Sequence, residues 1–251
     1  MFQRKKLEKV WQGRIEPFEI IKNVYFVGTF QASCHIIDTG DGLIMIDTGY
    51  SNTLYLVIDS LYKLGYKPAD VKYIVNTHWH GDHVEATDAM ANLSGAKTII
   101  GTEDFENAKK YFTADLTVKD GDTLTLGNVT LEFMETPGHT KGTISFFFNI
   151  ECNGKNYRVG TFGGAGANTL AKGKFDYDGC REGYRNSINR LRAERVDVFI
   201  GNHTWNNNTE VYGNLLRTTG ENKFIDHTLW TRFLDFCEAR LDKVIADDEN
   251  K

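Results

Sequence analysis

Apolar and polar positions along this chain fall into short blocks whose period changes from one block to the next. VYFVGTF (24–30), SCHIIDT (33–39) and GLIMIDT (42–48) are rich in β-branched and aromatic residues. Turn residues such as those of GDG (40–42) punctuate them, so each predicts a strand. TLYLVIDSLYKLG (53–65) instead places Leu54, Val57, Leu61 and Leu64 at helical spacing, with Gly65 as its stop. VKYIVNT (71–77) is an apolar strand, HVEATDAMANL (83–93) reads as a helix, and KTIIG (97–101) as another strand.

The second half repeats the pattern. DTLTL (122–126) and VTLEFMET (129–136) flank Gly127-Asn128 and predict a hairpin, and TISFFFNI (143–150) with YRVGTF (157–162) predicts a second one through ECNGKN. A helix over 180–195, a strand over 196–201 and a closing helix over 226–244 complete the reading. Trp230, Phe233, Cys237, Leu241 and Val244 form the apolar stripe of the last helix, which is core packing. Alternating elements with hairpins in both halves predict an α/β chain in which two sheets pack together between outer helices.

Composition adds bounds rather than a function. A length of 251 residues suffices to bury a sizeable core. With 41% hydrophobic residues, 25% charged residues and a net charge of −5, the chain has the balance of a globular protein. It lacks the basic excess that a nucleic-acid or anionic-membrane surface requires. No apolar run approaches the roughly 20 residues that span a bilayer. The N-terminal MFQRKKLEKVWQG has a basic start with no apolar segment behind it, so it does not read as an intact signal peptide. The compartment stays open: cytoplasmic as the chain stands, periplasmic or secreted if a leader was removed. Cys34, Cys152, Cys180 and Cys237 are scattered without a CxxC pair, which predicts buried or incidental thiols and leaves disulfides open.

The chemistry concentrates in THWHGDHV (77–84). His78, His80, Asp82 and His83 follow neither strand nor helix periodicity. In extended or looped backbone, residues two apart share a face, so His78 and His80 can grip one ion. Gly81 allows a bend that turns Asp82 and His83 towards a second. Imidazole and carboxylate at this density suit zinc or another borderline divalent metal. Two further histidines stand at strand-to-loop exits, His139 in TPGHT (136–140) and His203 in GNHT (201–204), where a rigid sheet can hold a ligand. His35 reads as a strand residue and His227 as the start of a helix.

HWHGDH followed by PGHT and a later strand-end histidine resembles the metallo-β-lactamase superfamily, and LIMIDTG (43–49) is similar to its first motif. The resemblance runs from about Trp11 to beyond His203. It implies an αββα sandwich, with residues 1–251 as a single domain of two αβ halves (about 1–135 and 136–251) and metals at one edge of both sheets. It also implies that Asp47 supports the ligands from behind rather than binding metal. Many members carry a bridging aspartate, or a cysteine, near the position corresponding to Gly164–Ala165; here the chain reads GTFGGAG (160–166), and Cys180 lies well beyond.

A first site of His78, His80 and His139 with a second of Asp82, His83 and His203 is similar to the third subclass of class B β-lactamases, as is the segment 11–39. The implied function is a dinuclear zinc hydrolase that opens a β-lactam amide by attack of a metal-bound hydroxide, oriented by Asp82. Its alternative is a zinc hydrolase of another ester, lactone or thioester. Both readings take a small-molecule substrate, two zinc ions, and neither nucleic acid nor membrane, with oligomeric state open. A non-catalytic metal-binding module is the reading outside enzymes. The loop HTWNNNT (203–209) departs from the subclass pattern; Trp205 and Asn206 are its candidate substrate contacts, against the alternative of a polar surface loop.

Overall fold

Seven strands make the first sheet, in the order in which they occur along the chain. They are β1 (Phe18–Ile21), β2 (Val24–Phe26), β3 (His35–Asp38), β4 (Leu43–Ile46), β5 (Val71–Val75), β6 (Lys97–Gly101) and β7 (Leu116–Val118). The first four pair antiparallel and the rest parallel. Parallel neighbours need a crossover. Here α1 (Leu54–Lys63) joins β4 to β5, the short α2 (Gly81–Val84) and α3 (Thr87–Ser94) join β5 to β6, and α4 (Phe105–Ala108) precedes β7. This computed structural model describes residues 9–250, so most of the N-terminal stretch read as lacking a signal peptide lies outside the described residues.

The second sheet holds β8 (Thr123–Leu126), β9 (Val129–Glu135), β10 (Ile144–Cys152), β11 (Lys155–Thr161) and β12 (Val198–Phe199), in the order β12-β11-β10-β9-β8. A crossover through α5 (Cys180–Leu191) makes β11 and β12 parallel. The chain closes with α6 (Thr209–Thr219) and α7 (His227–Glu249).

Strand periodicity explains the layering. In β10, Phe146 and Phe148 point between the sheets, where they meet Phe26, Ile37, Ile46 and Ile99 of the first sheet. Phe147 between them points outward, into a cluster with Tyr184 and Ile188 of α5 and Trp230, Phe233 and Leu234 of α7. On the far side, Ile36, Met45 and Ile74 pack against Val57 and Leu61 of α1 and Met90 of α3. The result is the expected αββα sandwich, and its 7- and 5-stranded sheets put their strand ends at a common edge.

Several boundaries differ from the sequence reading. The helix expected over 83–93 is two helices, because its hydrogen bonds are diverted. The His83 carbonyl accepts Thr48 N at 2.9 Å and Gly49 N at 3.2 Å, and Ala86 N turns to Gly49 O. The strand expected over 24–30 shortens to β2, and that over 196–201 to β12. Strands β1 and β7 and helices α4 and α6 had no prediction, and α7 runs five residues further than its apolar stripe. Both hairpins form. The second turns at Asn153 (φ 53°) and Gly154 (φ 73°), the left-handed pair of a tight hairpin. All four cysteines are free, and Cys34, Cys180 and Cys237 are buried.

His35 is the β3 residue its pattern predicts. It is buried between its partners Phe26 and Ile46, with Nε2 left without a hydrogen bond. Burial lowers its pKa from 6.5 to about 3. The unfolded chain therefore takes up a proton as the pH falls below 6.5 that the folded chain refuses, and stability present above that pH is lost on acidification. On going from pH 7 to pH 5, His35→Leu should gain about 2 kcal/mol relative to the parent. Urea melts at the two pH values check this; parallel pH dependences would refute it.

Candidate metal centre

The candidate ligands sit on the loops, and on one short helix, that follow strand ends at the shared edge of the two sheets. Strand β5 ends at Val75, and Thr77 N is caught by Asp47 Oδ1 at 2.7 Å, which turns the chain so that His78 enters the interior. His80 caps α2, whose first turn carries Asp82 and His83. The bend at Gly81 is thus an ordinary helical turn, and the expectation of special backbone freedom there is corrected. What glycine supplies is room: a Cβ would stand 2.9 Å from Glu85 Oε1 and from Tyr111 Oη. His139 follows β9 and His203 follows β12.

The fold gathers these six residues into two adjoining groups. His78, His80 and His139 form one, Asp82, His83 and His203 the other, with the potential ligand atoms of each within 4.8 Å of one another. The ring centroids of His78 and His83 lie 4.2 Å apart, so the groups share a wall. In the first, His80 Nδ1 faces His139 Nε2 at 2.9 Å. In the second, Asp82 Oδ2 stands 3.6 Å from His83 Nε2 and 3.7 Å from His203 Nε2.

The far nitrogen of four rings is held by an acceptor. His78 Nδ1 donates to Gly163 O at 2.9 Å, His139 Nδ1 to Gly166 O at 2.8 Å, His203 Nδ1 to Gln31 O at 2.7 Å, and His83 Nδ1 to Asp47 Oδ2 at 2.7 Å. A proton on Nδ1 leaves the lone pair on Nε2, aimed into the cluster. Nε2 of both His78 and His83 is buried with no hydrogen-bond partner. Two orphaned lone pairs side by side in the cluster fit a cation, since an acceptor buried without a donor is costly.

Electrostatics prepares the groups. Burial, reinforced by neighbouring imidazoles, holds His78 and His139 well below the usual histidine range, so they are neutral at pH 7. Burial also lowers His80, against the carboxylate of Asp82. For His83 burial is outweighed by Asp82 and Asp47, and its pKa rises. Burial alone would raise the Asp82 carboxyl, yet His83, His203 and His80 together hold it below the usual range. The neutral rings of His78 and His139 and the ionised Asp82 carboxylate are in the states that bind a metal.

Asp47 stands behind His83 and also accepts Thr77 Oγ1 at 2.8 Å. It holds a left-handed backbone (φ 53°), a strain that such sites retain when the surroundings impose it. The loop 163–166 brings no carboxylate or thiol to the groups. Instead its backbone presses on His139: a Cβ at Gly166 would lie 2.9 Å from His139 Cε1, and one at Gly164 would lie 2.6 Å from Thr143 Oγ1. Cys180 is buried in the cluster beneath α5, away from both groups. Trp205 stacks on His203 at 4.3 Å and 10°, and Trp79 meets His80 edge-on at 4.7 Å, so an indole flanks each group. Asn206 corrects its expectation. It is buried, and its amide donates to Asn202 Oδ1 at 2.6 Å, so it braces the loop rather than facing the site. The orienting carbonyls of Gln31, Gly163 and Gly166 had no sequence signal beyond the glycine run.

The family model of the metallo-beta-lactamase superfamily matches residues 27–203. Among solved structures, the chain is similar to BJP-1, a subclass B3 metallo-beta-lactamase of Bradyrhizobium japonicum, at TM-score 0.88 and 28% identity, covering 96% of this chain and 98% of that one. FEZ-1 metallo-beta-lactamase from Legionella gormanii gives TM-score 0.89 and 27% identity over 95% of this chain and 98% of that one. Among curated proteins, a hydroxyacylglutathione hydrolase of Chelativorans sp. is 37% identical over 92 residues, 37% of this chain and 34% of the relative. The chain spans about a third to a half of the length of such curated relatives.

Proposed function

The chain belongs to the metallo-beta-lactamase superfamily, and from that premise we propose that it is a dinuclear zinc hydrolase that opens a β-lactam amide. Membership of the superfamily and the fold make it a metal-dependent hydrolase acting on a small molecule. The observation that carries the finer reading is the donor set. Three histidines and an Asp-His-His group adjoin one another, with a glycine loop where a bridging carboxylate would stand. The end-to-end structural similarity to subclass B3 enzymes supports it.

His78, His80 and His139 would hold one zinc, and Asp82, His83 and His203 the other. Bound there, the metals would polarise a scissile carbonyl and lower the pKa of a water enough for it to react at neutral pH. The chain's own groups do the rest. Asp82, ionised and only partly buried, accepts a hydrogen bond from the attacking water and orients it. Asp47 and the Gln31, Gly163 and Gly166 carbonyls keep protons on Nδ1, so the rings keep their orientation through turnover. Trp79 and Trp205 form apolar flanks that exclude water and take the non-reacting parts of a substrate. Among the described residues no helix is long and apolar enough to cross a membrane.

A second reading, a thioester hydrolase, is favoured by the hydroxyacylglutathione hydrolases among the curated relatives. One assay series separates the two. Zinc-loaded protein is offered a penicillin, a cephalosporin, a carbapenem and a glutathione thioester, then chelated and resupplied with zinc. Lactam turnover that chelation stops and zinc restores is the expected result. Thioester turnover without lactam turnover would replace the first reading by the second.

A further inference from the structure

Strand β6 ends at Gly101, and the 3-10 turn that follows (Thr102–Asp104) carries the Asp104 carboxylate to the segments of the first histidine group. Asp104 is fully buried. Its Oδ2 accepts from Trp79 N at 3.1 Å and from Thr140 Oγ1 at 2.7 Å, and its Oδ1 accepts from Gly142 N at 2.7 Å. Trp79 stands between His78 and His80, and Thr140 directly follows His139. One side chain from a third strand end therefore grips both histidine loops, one leaving the first sheet and the other leaving the second.

We infer that Asp104 is a positioning residue that clasps these two loops together and so sets the affinity of the His78–His80–His139 group for its metal. This rests on the reading of those histidines as ligands.

The contact is built closely. A Cβ on Gly142 would lie 2.2 Å from Asp104 N, and one on Gly101 would lie 2.0 Å from Gly142 O, so both positions admit backbone only. Three donors converge on Asp104, which only a carboxylate accepts in full. An asparagine in either flip turns its NH2 towards a backbone N–H, that of Gly142 or that of Trp79. The partners of the other group are different: Asp47 for His83 and the Gln31 carbonyl for His203. Loosening the clasp moves His80 and His139 relative to each other while leaving the second group in place. An Asp104 that merely braced the fold would have no such preference between groups.

The test is zinc binding to the full chain, read by native mass spectrometry across buffered free-zinc concentrations, for the parent, Asp104→Asn and Asp104→Ala. The parent should load two zincs. In Asp104→Asn one step should weaken about tenfold or more and the other stay within about threefold, as other supporting partners of ligands behave. In a His83→Ala background, which disables the second group, Asp104→Asn should still weaken the remaining zinc by a similar factor. Thermal melts of the metal-free proteins are recorded alongside. Unchanged zinc steps, or both steps weakened equally with a lower melting temperature, would overturn the inference. A parent that binds no zinc would overturn the ligand reading and this inference with it. Should the alanine variant not fold, the near-isosteric asparagine carries the comparison.

Discussion

Asp82→Ala is expected to lower kcat/KM for the hydrolysed substrate about a thousandfold or more, equivalent to about 4 kcal/mol of transition-state stabilisation. Asp82 is the one carboxylate among the six gathered residues, and three imidazoles hold it ionised against the cost of its burial. Without it the second group keeps two imidazoles and loses its anionic ligand and its hydrogen-bond acceptor for water. Asp82→Asn should fail nearly as badly, because the amide keeps the shape but not the charge. Both variants should melt within about 4 °C of the parent, the equivalent of about 1 kcal/mol. Steady-state kinetics with zinc content measured on the same samples checks this. Parental turnover in both variants would remove Asp82 from the mechanism.

The largest loss of stability is expected at Asp47. Asp47→Ala leaves Thr77 N, Thr77 Oγ1 and His83 Nδ1 without their acceptor in a fully buried place. Each orphaned donor costs about 1–3 kcal/mol. The left-handed backbone adds about 1–2 kcal/mol for a residue whose side chain cannot bond locally. A total near 5 kcal/mol is a large part of a typical domain's stability. Asp47→Asn tolerates the backbone and keeps one acceptor, so it should recover part of the loss. Urea denaturation ranks the three proteins, and an alanine variant as stable as the parent would refute the assignment. Zinc affinity should fall about 10- to 100-fold in the asparagine variant, since His83 loses the group that fixes its tautomer.

These two aspartates differ in how legible they were. Asp82 stands inside HWHGDH, where the spacing alone announces a ligand cluster. Asp47 was assigned by resemblance of LIMIDTG to a family motif; its bonds to Thr77 and His83, residues 30 and 36 positions away, are tertiary. Asp104 carried no signal at all. One acid among Glu103, Asp104 and Glu106 after KTIIG looks like part of any surface turn until the fold buries Asp104 among three donors.

By itself the sequence determined the local terms. Alternation in TISFFFNI and the helical stripes of 53–65 and 226–244 specify which faces are buried, because period and burial are both local consequences of backbone geometry. The density of histidine in 78–83, with His139 and His203 at strand exits, marks a candidate metal-ligand set through side chains alone. Tertiary structure decided what depends on chain segments meeting. It broke the 83–93 helix by giving the His83 carbonyl to Thr48 and Gly49, and it recruited the carbonyls of Gln31, Gly163 and Gly166 to hold rings. It also turned Asn206 inward and placed Trp205 against His203. Every residue carries a carbonyl, so no pattern of side chains marks which ones will orient a ligand; only the packing of the two sheets brings them into reach.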